Sequence, residues 1–470
     1  MGRLGRVVIA SFALLAFAGP SPATAAPSPE RAEQLARKAY DYGMPLLEFL
    51  RVRHEQTSVA CPDGHGNSPV NSFSNARIFA DARARTVVAP NTDTLYSIAH
   101  LDLGKGPLVL GHPDMGKRYF EFQFLDPYTN VIDYVGTRTT GGKADRHVIS
   151  WRGAPEPRPE GVPVIHSKFR RVWIIGRTLA TNEADQRKAY ALMGKYRLSR
   201  AGKGPLEFPA DCDPGEPSQH PVPTGGRSFV KALGKATATN PPPKRDRGFL
   251  AKLKGIGIGP GLSPDDAGLP PDVLDAVYGG VADEAAELPG RVRLEAFQDS
   301  VAAGGWLQII DGIGDYGTDY GLRATLAVIG LGANTAEEAV YPTAITDANG
   351  ALLSGGTDYR MVIGPGEEPP AKYFWSVTMY DGTGFLVDNP IDRYSIGPTH
   401  PPLVRQPDGS IVIAISQDEP SEADVNWLPA PPGNFRLSMR IYGPGKSVLA
   451  GDYSPPPITP VGCRAGAGRC

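Results

Sequence analysis

A dense polar turn, Pro90-Asn91-Thr92-Asp93, lies between the apolar run Val87–Ala89 and a run of strand-like composition that includes Tyr96. Asn91 and Asp93 supply oxygens suited to a hard cation or a substrate hydroxyl, and Tyr96 adds a phenolic donor. The same side chains can instead hydrogen-bond nearby backbone and hold the corner, a common use of Asx-rich turns. Farther along, Tyr119, Glu121 and Gln123 alternate with Phe120, Phe122 and Phe124 through a strand expected over Lys117–Asp126. Antiparallel sheets usually keep one face wet, which favours a solvent-facing polar stripe without chemistry. If that stripe is covered, burial raises the Glu121 carboxyl and equips it as an acid or base. Asp126 and Tyr128 end the same strand and can converge on the turn. Asp93, Glu121 and Asp126 are therefore the candidate catalytic carboxylates, as acid, base or oxygen ligands.

Arg323 sits in an apolar helical stretch with Leu322, Ala324, Leu326, Ala327 and Ile329. A buried guanidinium there needs a partner, either Glu338 or Asp319 in an ion pair or an anionic ligand. Trp375, Tyr380 and Arg393, with Asn426 and Trp427, form an aromatic and amide-rich set. Such a set suits a ligand pocket or ordinary aromatic core packing. The candidate ligand-binding residues are thus Asn91, Tyr96, Tyr128, Arg323, Trp375, Tyr380 and Arg393. The metal question stays open: no H-E-x-x-H or Cys-x-x-Cys occurs, and the eight His lack close paired spacing. Gly312-Ile-Gly-Asp-Tyr-Gly317 satisfies G-x-G-x-x-G but follows helical pattern where a strand is required, so it is no dinucleotide fingerprint. No G-x-S-x-G elbow is present.

The elements that must position these groups change character along the chain. Met1–Ala25 combines Arg3 and Arg6, an apolar run from Val7 to Ala18 and an Ala23-Thr24-Ala25 exit, the pattern of a secretory signal peptide. Its removal leaves about 445 residues, enough for two to three domains. Lys and Arg total 48 against 50 Asp and Glu, so no global field draws the chain to nucleic acid. No later segment is apolar and long enough to span a membrane. The four cysteines suit an oxidising compartment; Cys463 with Cys470 and Cys61 with Cys212 is one of three formal pairings.

A helix opens the chain over 28–60, strands follow from 70 to 180, and Asn182–Leu198 reads as a helix. Pro- and Gly-rich stretches at 201–226 and 236–248 read as connector. Between 228 and 335 the pattern is helical, with Ser263-Pro264-Asp265-Asp266 as a helix start and helical spacing from Val292 to Ile310. Strands return at Tyr359–Ile363, Tyr373–Tyr380, Ile411–Ile415 and Phe435–Tyr442.

Pro90–Tyr96, Arg118–Phe120 with Asp126–Asn130, Tyr320–Ala324 with Gly330–Asn334, Glu338–Pro342, Phe374–Asp381, Asp388–Pro390 with Arg393–Ser395, and Asn426–Pro429 resemble, in order, proteins that pair domain of unknown function 1254 with domain of unknown function 1214. The resemblance covers nearly all of the chain after residue 25. It implies a mainly β protein with helices: an N-terminal immunoglobulin-like sandwich, a small central helical domain and a C-terminal jelly-roll-like sandwich. It implies no settled activity or cofactor. The expected divisions are a signal peptide at 1–25, the N-terminal sandwich at 26–205, connector and helices at 206–335, the C-terminal sandwich at 336–457 and a tail at 458–470. The function expected is that of an exported protein, periplasmic or extracellular, with a small-molecule pocket. Hydrolase-like or metal-assisted chemistry and non-catalytic binding of a ligand or envelope component are both open, as is a homo-oligomeric state.

Overall fold

The structure is a computed structural model that describes residues 26–152, 159–200, 203–399 and 403–463. The signal-peptide segment and Cys470 lie outside the described residues. The protein is mainly β, with a helical region in the middle. Helix α1 (Pro29–Thr57) starts where the Ser28 hydroxyl accepts from the Arg31 N–H and Pro29 takes the first turn.

Strands β1 (Ser74–Asn75), β2 (Thr94–Asp102), β3 (Leu108–His112), β4 (Phe120–Leu125), β5 (Val131–Gly136), β6 (Asp145–Trp151), β7 (Val164–Ser167) and β8 (Arg171–Leu179) follow. Helix α2 (Glu183–Met193) and β9 (Arg197–Arg200) complete this half. One sheet has the order β1-β2-β8-β4-β5 and the other β7-β6-β3-β9. Phe120, Phe122 and Phe124 project between the two sheets against Leu110, Ile149 and Leu198. The helix expected to reach Leu198 stops at Met193, because Gly194 ends it and Arg197–Arg200 pairs with β3.

Next come α3 (Gly226–Thr239), α4 (Arg247–Lys254), α5 (Pro271–Ala302), β10 (Trp306–Leu307) and α6 (Tyr320–Ile329). Helix α1 packs against α5 and α6, so the helical layer draws on the start of the chain as well as its middle. Ser263–Asp266 makes only one short turn, and α5 begins at Pro271. The helical spacing that runs on to Ile310 is cut at Ala302. Gly304 and Gly305 both take positive φ there, and Trp306–Leu307 leaves to pair with a strand of the last sheet.

The last segment holds β11 (Ala339–Val340), β12 (Thr343–Ala344), β13 (Thr357–Ile363), β14 (Ala371–Asp381), β15 (Ser395–Ile396), β16 (Ile411–Ser416), β17 (Asn426–Pro429), β18 (Phe435–Pro444), α7 (Lys446–Leu449) and β19 (Ile458–Cys463). One sheet runs β10-β12-β18-β14-β15, with β11 also on β18, and the other runs β17-β16-β13-β19. Their shared core includes Met361, Ile413, Trp375, Val377, Leu437 and Ile441. Among the described residues no helix is long and apolar enough to cross a membrane.

Cys61, just past α1, is bonded to Cys212 in the connector, 151 residues away. Closing a loop that long removes much unfolded-state entropy. Replacing Cys61 with Ser is expected to lower stability by about 3–5 kcal/mol. Urea unfolding with and without reductant checks this: reductant should shift the parent protein and leave the variant in place.

Candidate functional site

Two sheet faces that would be wet in isolated sandwiches look at each other across the middle of the molecule. On β8, Val172 and Ile174 enter the N-terminal core, while Trp173, Ile175 and Arg177 point the opposite way. On β18, Phe435, Leu437, Met439 and Ile441 fill the C-terminal core, while Arg436, Ser438, Arg440 and Tyr442 face outward. Between these faces lies a chamber of about 580 Å³, within the size range of small-ligand sites. Leu326 and Ile329 of α6 and the segment 76–90 wall its sides. It meets solvent where Ile78, Arg83 and Arg85 are exposed.

The polar part of the wall begins with Asn91. Its Oδ1 accepts from the Asp93 and Thr94 N–H groups (2.5 and 3.2 Å), which is the turn-capping role. Its own N–H donates to the Tyr96 hydroxyl (2.9 Å) and its Nδ2 to the Tyr442 hydroxyl (2.7 Å). One residue thus ties a strand from each sandwich. The rest of the turn docks in the same way. Thr92 pairs with Ser395 (2.8 Å), Ser376 donates to Asp93 Oδ2 (2.7 Å), and Tyr380 donates to the Pro90 carbonyl (2.7 Å). Arg440 Nη2 reaches the Ala89 carbonyl (2.9 Å), and Ala89 holds a left-handed φ of 52° to present it.

Arg177 is the second anchor. Its Nη1 pairs with Glu121 Oε1 (2.6 Å) and also donates to Gln123 Oε1 and Asn334 Oδ1, both at 3.0 Å. Its Nη2 donates to the Gly332 carbonyl (3.1 Å), and Asn334 Nδ2 returns to Glu121 (2.9 Å). Burial alone would lower the Arg177 pKa, but Glu121 and the surrounding tyrosines hold it well above its ordinary value. Glu338 is pushed up, first by burial and then by Glu121, while Arg138 and the Tyr119 hydroxyl (2.8 Å) pull it back.

Of the residues singled out in the sequence, Asn91 and Tyr96 line the chamber, and the others sit elsewhere. Asp93 is buried behind the wall on Ser376. The Tyr119, Glu121 and Gln123 face, favoured as wet, is buried because the C-terminal sheet and residues 332–338 cover it. Asp126 closes its own loop, accepting from the Tyr128 and Asn130 N–H groups (2.8 and 3.0 Å). Tyr128 donates to the Asn240 carbonyl (2.9 Å). Trp375 fills the C-terminal core and donates to Glu368 (3.1 Å), Tyr380 holds the turn, and Arg393 binds the Trp427 carbonyl (2.9 Å).

Arg323 pairs with neither expected acid. Asp319 caps α6 by accepting from Leu322, and Glu338 is bound to Arg138. Instead the Arg323 guanidinium lies among the rings of Tyr42, Tyr128 and Tyr320, at 5.0, 5.4 and 5.1 Å from their centroids, and donates to the Tyr42 carbonyl (2.9 Å). None of Asp93, Glu121 and Arg323 lines the chamber. Among the described residues no three His, Cys, Asp or Glu side chains converge as a metal site requires.

Sequence reasoning passed over Arg177, Arg436, Arg440, Tyr341 and Tyr442. The available signal was the alternation Phe-Arg-Leu-Ser-Met-Arg-Ile-Tyr over 435–442, whose outer face is cationic and aromatic.

Residues 70–200 match the model described as protein of unknown function DUF1254, and residues 338–446 match the one described as DUF1214. The chain pairs these two domains. The DUF1254 match takes in β1 to β9, the DUF1214 match β11 to β18, and the chamber lies between them. The VPA0106 protein from Vibrio parahaemolyticus, a crystal structure, is similar at 23% identity with a TM-score of 0.63, over 92% of this chain and 100% of that one. The likeness is one of fold. An uncharacterised Burkholderia cenocepacia protein aligns at 11% identity with a TM-score of 0.46, over 92% of this chain and 93% of its own. No curated protein matches in sequence.

Two outcomes follow from the site's electrostatics. Replacing Arg177 with Met strands Glu121 at the join between the DUF1254 and DUF1214 domains, and should cost about 3–5 kcal/mol in urea unfolding. Replacing both Arg177 and Glu121 with apolar residues should recover much of that loss. Burial pushes Asp126 up to about 6, against its hydrogen bonds and Arg323. An acid raised on folding binds more protons in the native state, so its contribution falls as pH rises from about 4 to about 6. Asp126→Asn should remove a decline on the order of 3 kcal/mol across that window, read as unfolding free energy against pH.

Proposed function

We propose that this protein binds a small, largely apolar molecule in the chamber between its two sandwiches, and acts outside the cytoplasm. The observation that carries the reading is the apolar lining: Ile98, Trp173, Ile175, Ile329 and Leu331 form much of it, with polar groups gathered on part of the wall. A cavity of that make-up excludes water from an apolar ligand while the polar groups set its orientation. Binding without chemistry is favoured over hydrolysis. The three carboxylates chosen from sequence as acid or base stand outside the chamber wall, each in hydrogen bonds with the protein. Work outside the cytoplasm is supported by the signal-like first 25 residues and by the Cys61–Cys212 bond, which suits an oxidising compartment.

The test is titration with the apolar fluorophore N-phenyl-1-naphthylamine, with Trp173 in the wall as an energy-transfer partner. Saturable binding near one per chain is expected. Ile329→Trp, which narrows the chamber beside Trp173 and Ile175, should weaken it severalfold while the melting temperature stays within a few degrees of the parent. Equal binding by parent and narrowed variant would place the probe elsewhere and remove the proposal.

A further inference from the structure

The charge on the chamber wall is unbalanced. Its lining contains Arg83, Arg85, Arg177, Arg436 and Arg440 against one carboxylate, Asp81. Three of the five guanidiniums are paired: Arg83 with Asp81 (2.5 Å), Arg85 with Asp381 (3.6 Å) and Arg177 with Glu121 (2.6 Å). Arg436 and Arg440, on the same face of β18, form no ion pair with any described residue. Every hydrogen bond of the Arg440 side chain ends on a neutral oxygen: Thr378 Oγ1, the Ala89 and Pro90 carbonyls, and the Tyr380 hydroxyl. Asp93 also acts on Arg440 electrostatically, favouring its charged form.

Arg436 is barer still. Its guanidinium donates to no described residue and lies over the Tyr380 ring, 5.7 Å from the centroid, with that of Arg440 at 5.6 Å from the same centroid. Gly384, at φ +93°, leaves the space the guanidinium needs, since a Cβ there would collide with it. Asp381, which acts on Arg436 electrostatically, is already bound to Thr383, the Phe385 N–H and Arg85. Burial lowers the Arg436 pKa, Tyr380 and Asp381 oppose that, and Arg440 lowers it again, so a half-buried and a buried guanidinium are held side by side.

Three phenols add donors to the same chamber. The Tyr96 hydroxyl accepts from the Asn91 N–H (2.9 Å), that of Tyr442 from Asn91 Nδ2 (2.7 Å), and that of Tyr341 from the Asn334 N–H (3.3 Å). None of the three donates to a described residue, so each O–H proton is available to a ligand. A cavity with spare donors, surplus positive charge and apolar walls is complementary to an amphipathic anion.

We infer that the ligand is an apolar chain or ring system ending in a carboxylate, seated on Arg436 and Arg440, with the tyrosine hydroxyls as further donors. This rests on the chamber being a ligand site and adds the chemistry of the head group. Dodecanoate, dodecanol and dodecylamine share one tail and differ in head, so they separate the two ideas. At pH 7.5 and below micellar concentrations, competition against N-phenyl-1-naphthylamine should rank dodecanoate roughly tenfold to a hundredfold above dodecanol, with dodecylamine weakest. Arg436→Met should bring the ratio of dodecanoate to dodecanol affinity close to one, with the melting temperature near the parent value, because Arg436 has no hydrogen bond to a described residue to lose. Equal binding of dodecanoate and dodecanol to the parent overturns the head-group inference and leaves the chamber a binding site. Retention of the preference in Arg436→Met overturns the placement on Arg436. Failure of all three to displace the fluorophore removes the head-group inference, and absence of fluorophore binding removes the chamber reading beneath it. A dodecyl phosphate arm, if preferred over dodecanoate, would overturn the carboxylate in favour of a phosphate head.

Discussion

The arrangement depends on two polar clamps, one joining the two sandwiches' sheets and one holding the N-terminal sheet to the loop at 332–334 that leads into the C-terminal sheet. At one clamp the turn after Pro90 enters the outer face of the C-terminal sheet, where Asn91, Thr92, Asp93 and two backbone carbonyls are bound by Tyr442, Ser395, Ser376, Tyr380 and Arg440. At the other, Arg177 and Glu121 gather Gln123, Asn334 and the Gly332 carbonyl. Hydrogen bonds are short and directional, so they fix the spacing of the two faces. Full apolar packing would have drawn the sheets together and left no room between them. Here aromatic packing of Tyr119, Phe374 and Tyr442 is confined to a small cluster. Beside it the faces stay apart and the chamber remains.

This economy explains why so many conspicuous polar residues are not themselves at the cavity. A buried carboxylate or guanidinium is tolerable only when partners surround it. Residues able to form such networks resemble catalytic residues in type. Glu121 has the burial of an acid–base group, yet Arg177 and Asn334 occupy its Oε1. Arg323 makes the same point with rings in place of acids, since tyrosine faces and one carbonyl surround it in the helical layer.

Local features were legible in the sequence to the extent that they are set by neighbours along the chain. The Phe120, Phe122 and Phe124 stripe, the α1 start at Ser28 and Pro29, and the polar turn at Pro90 all follow from short-range chemistry. Alternation in β4 and β18 states which residues share a face, but not what covers that face. The cover on Glu121 comes from Asn334, some two hundred positions away. The alternation Arg436-Leu437-Ser438-Met439-Arg440 reads as an ordinary half-wet strand until a second sheet stands opposite. Helix ends failed for a related reason. The pattern through Val292–Ile310 continues past Ala302, but positive φ at two successive glycines and a strand partner at Ala344 redirect the chain.

The Cys61–Cys212 bond has a topological meaning beyond its stabilising effect. The segment it closes contains β1 through β9, so both N-terminal sheets and the clamp residues Asn91, Glu121 and Arg177 lie inside one covalent ring. A protease that cuts a single peptide bond anywhere between Cys61 and Cys212 opens that ring without dividing the molecule. The chamber's N-terminal wall would remain tethered to its C-terminal wall after such a nick. For a chamber formed by two faces standing opposite each other, the ring preserves the pairing even where the backbone is broken.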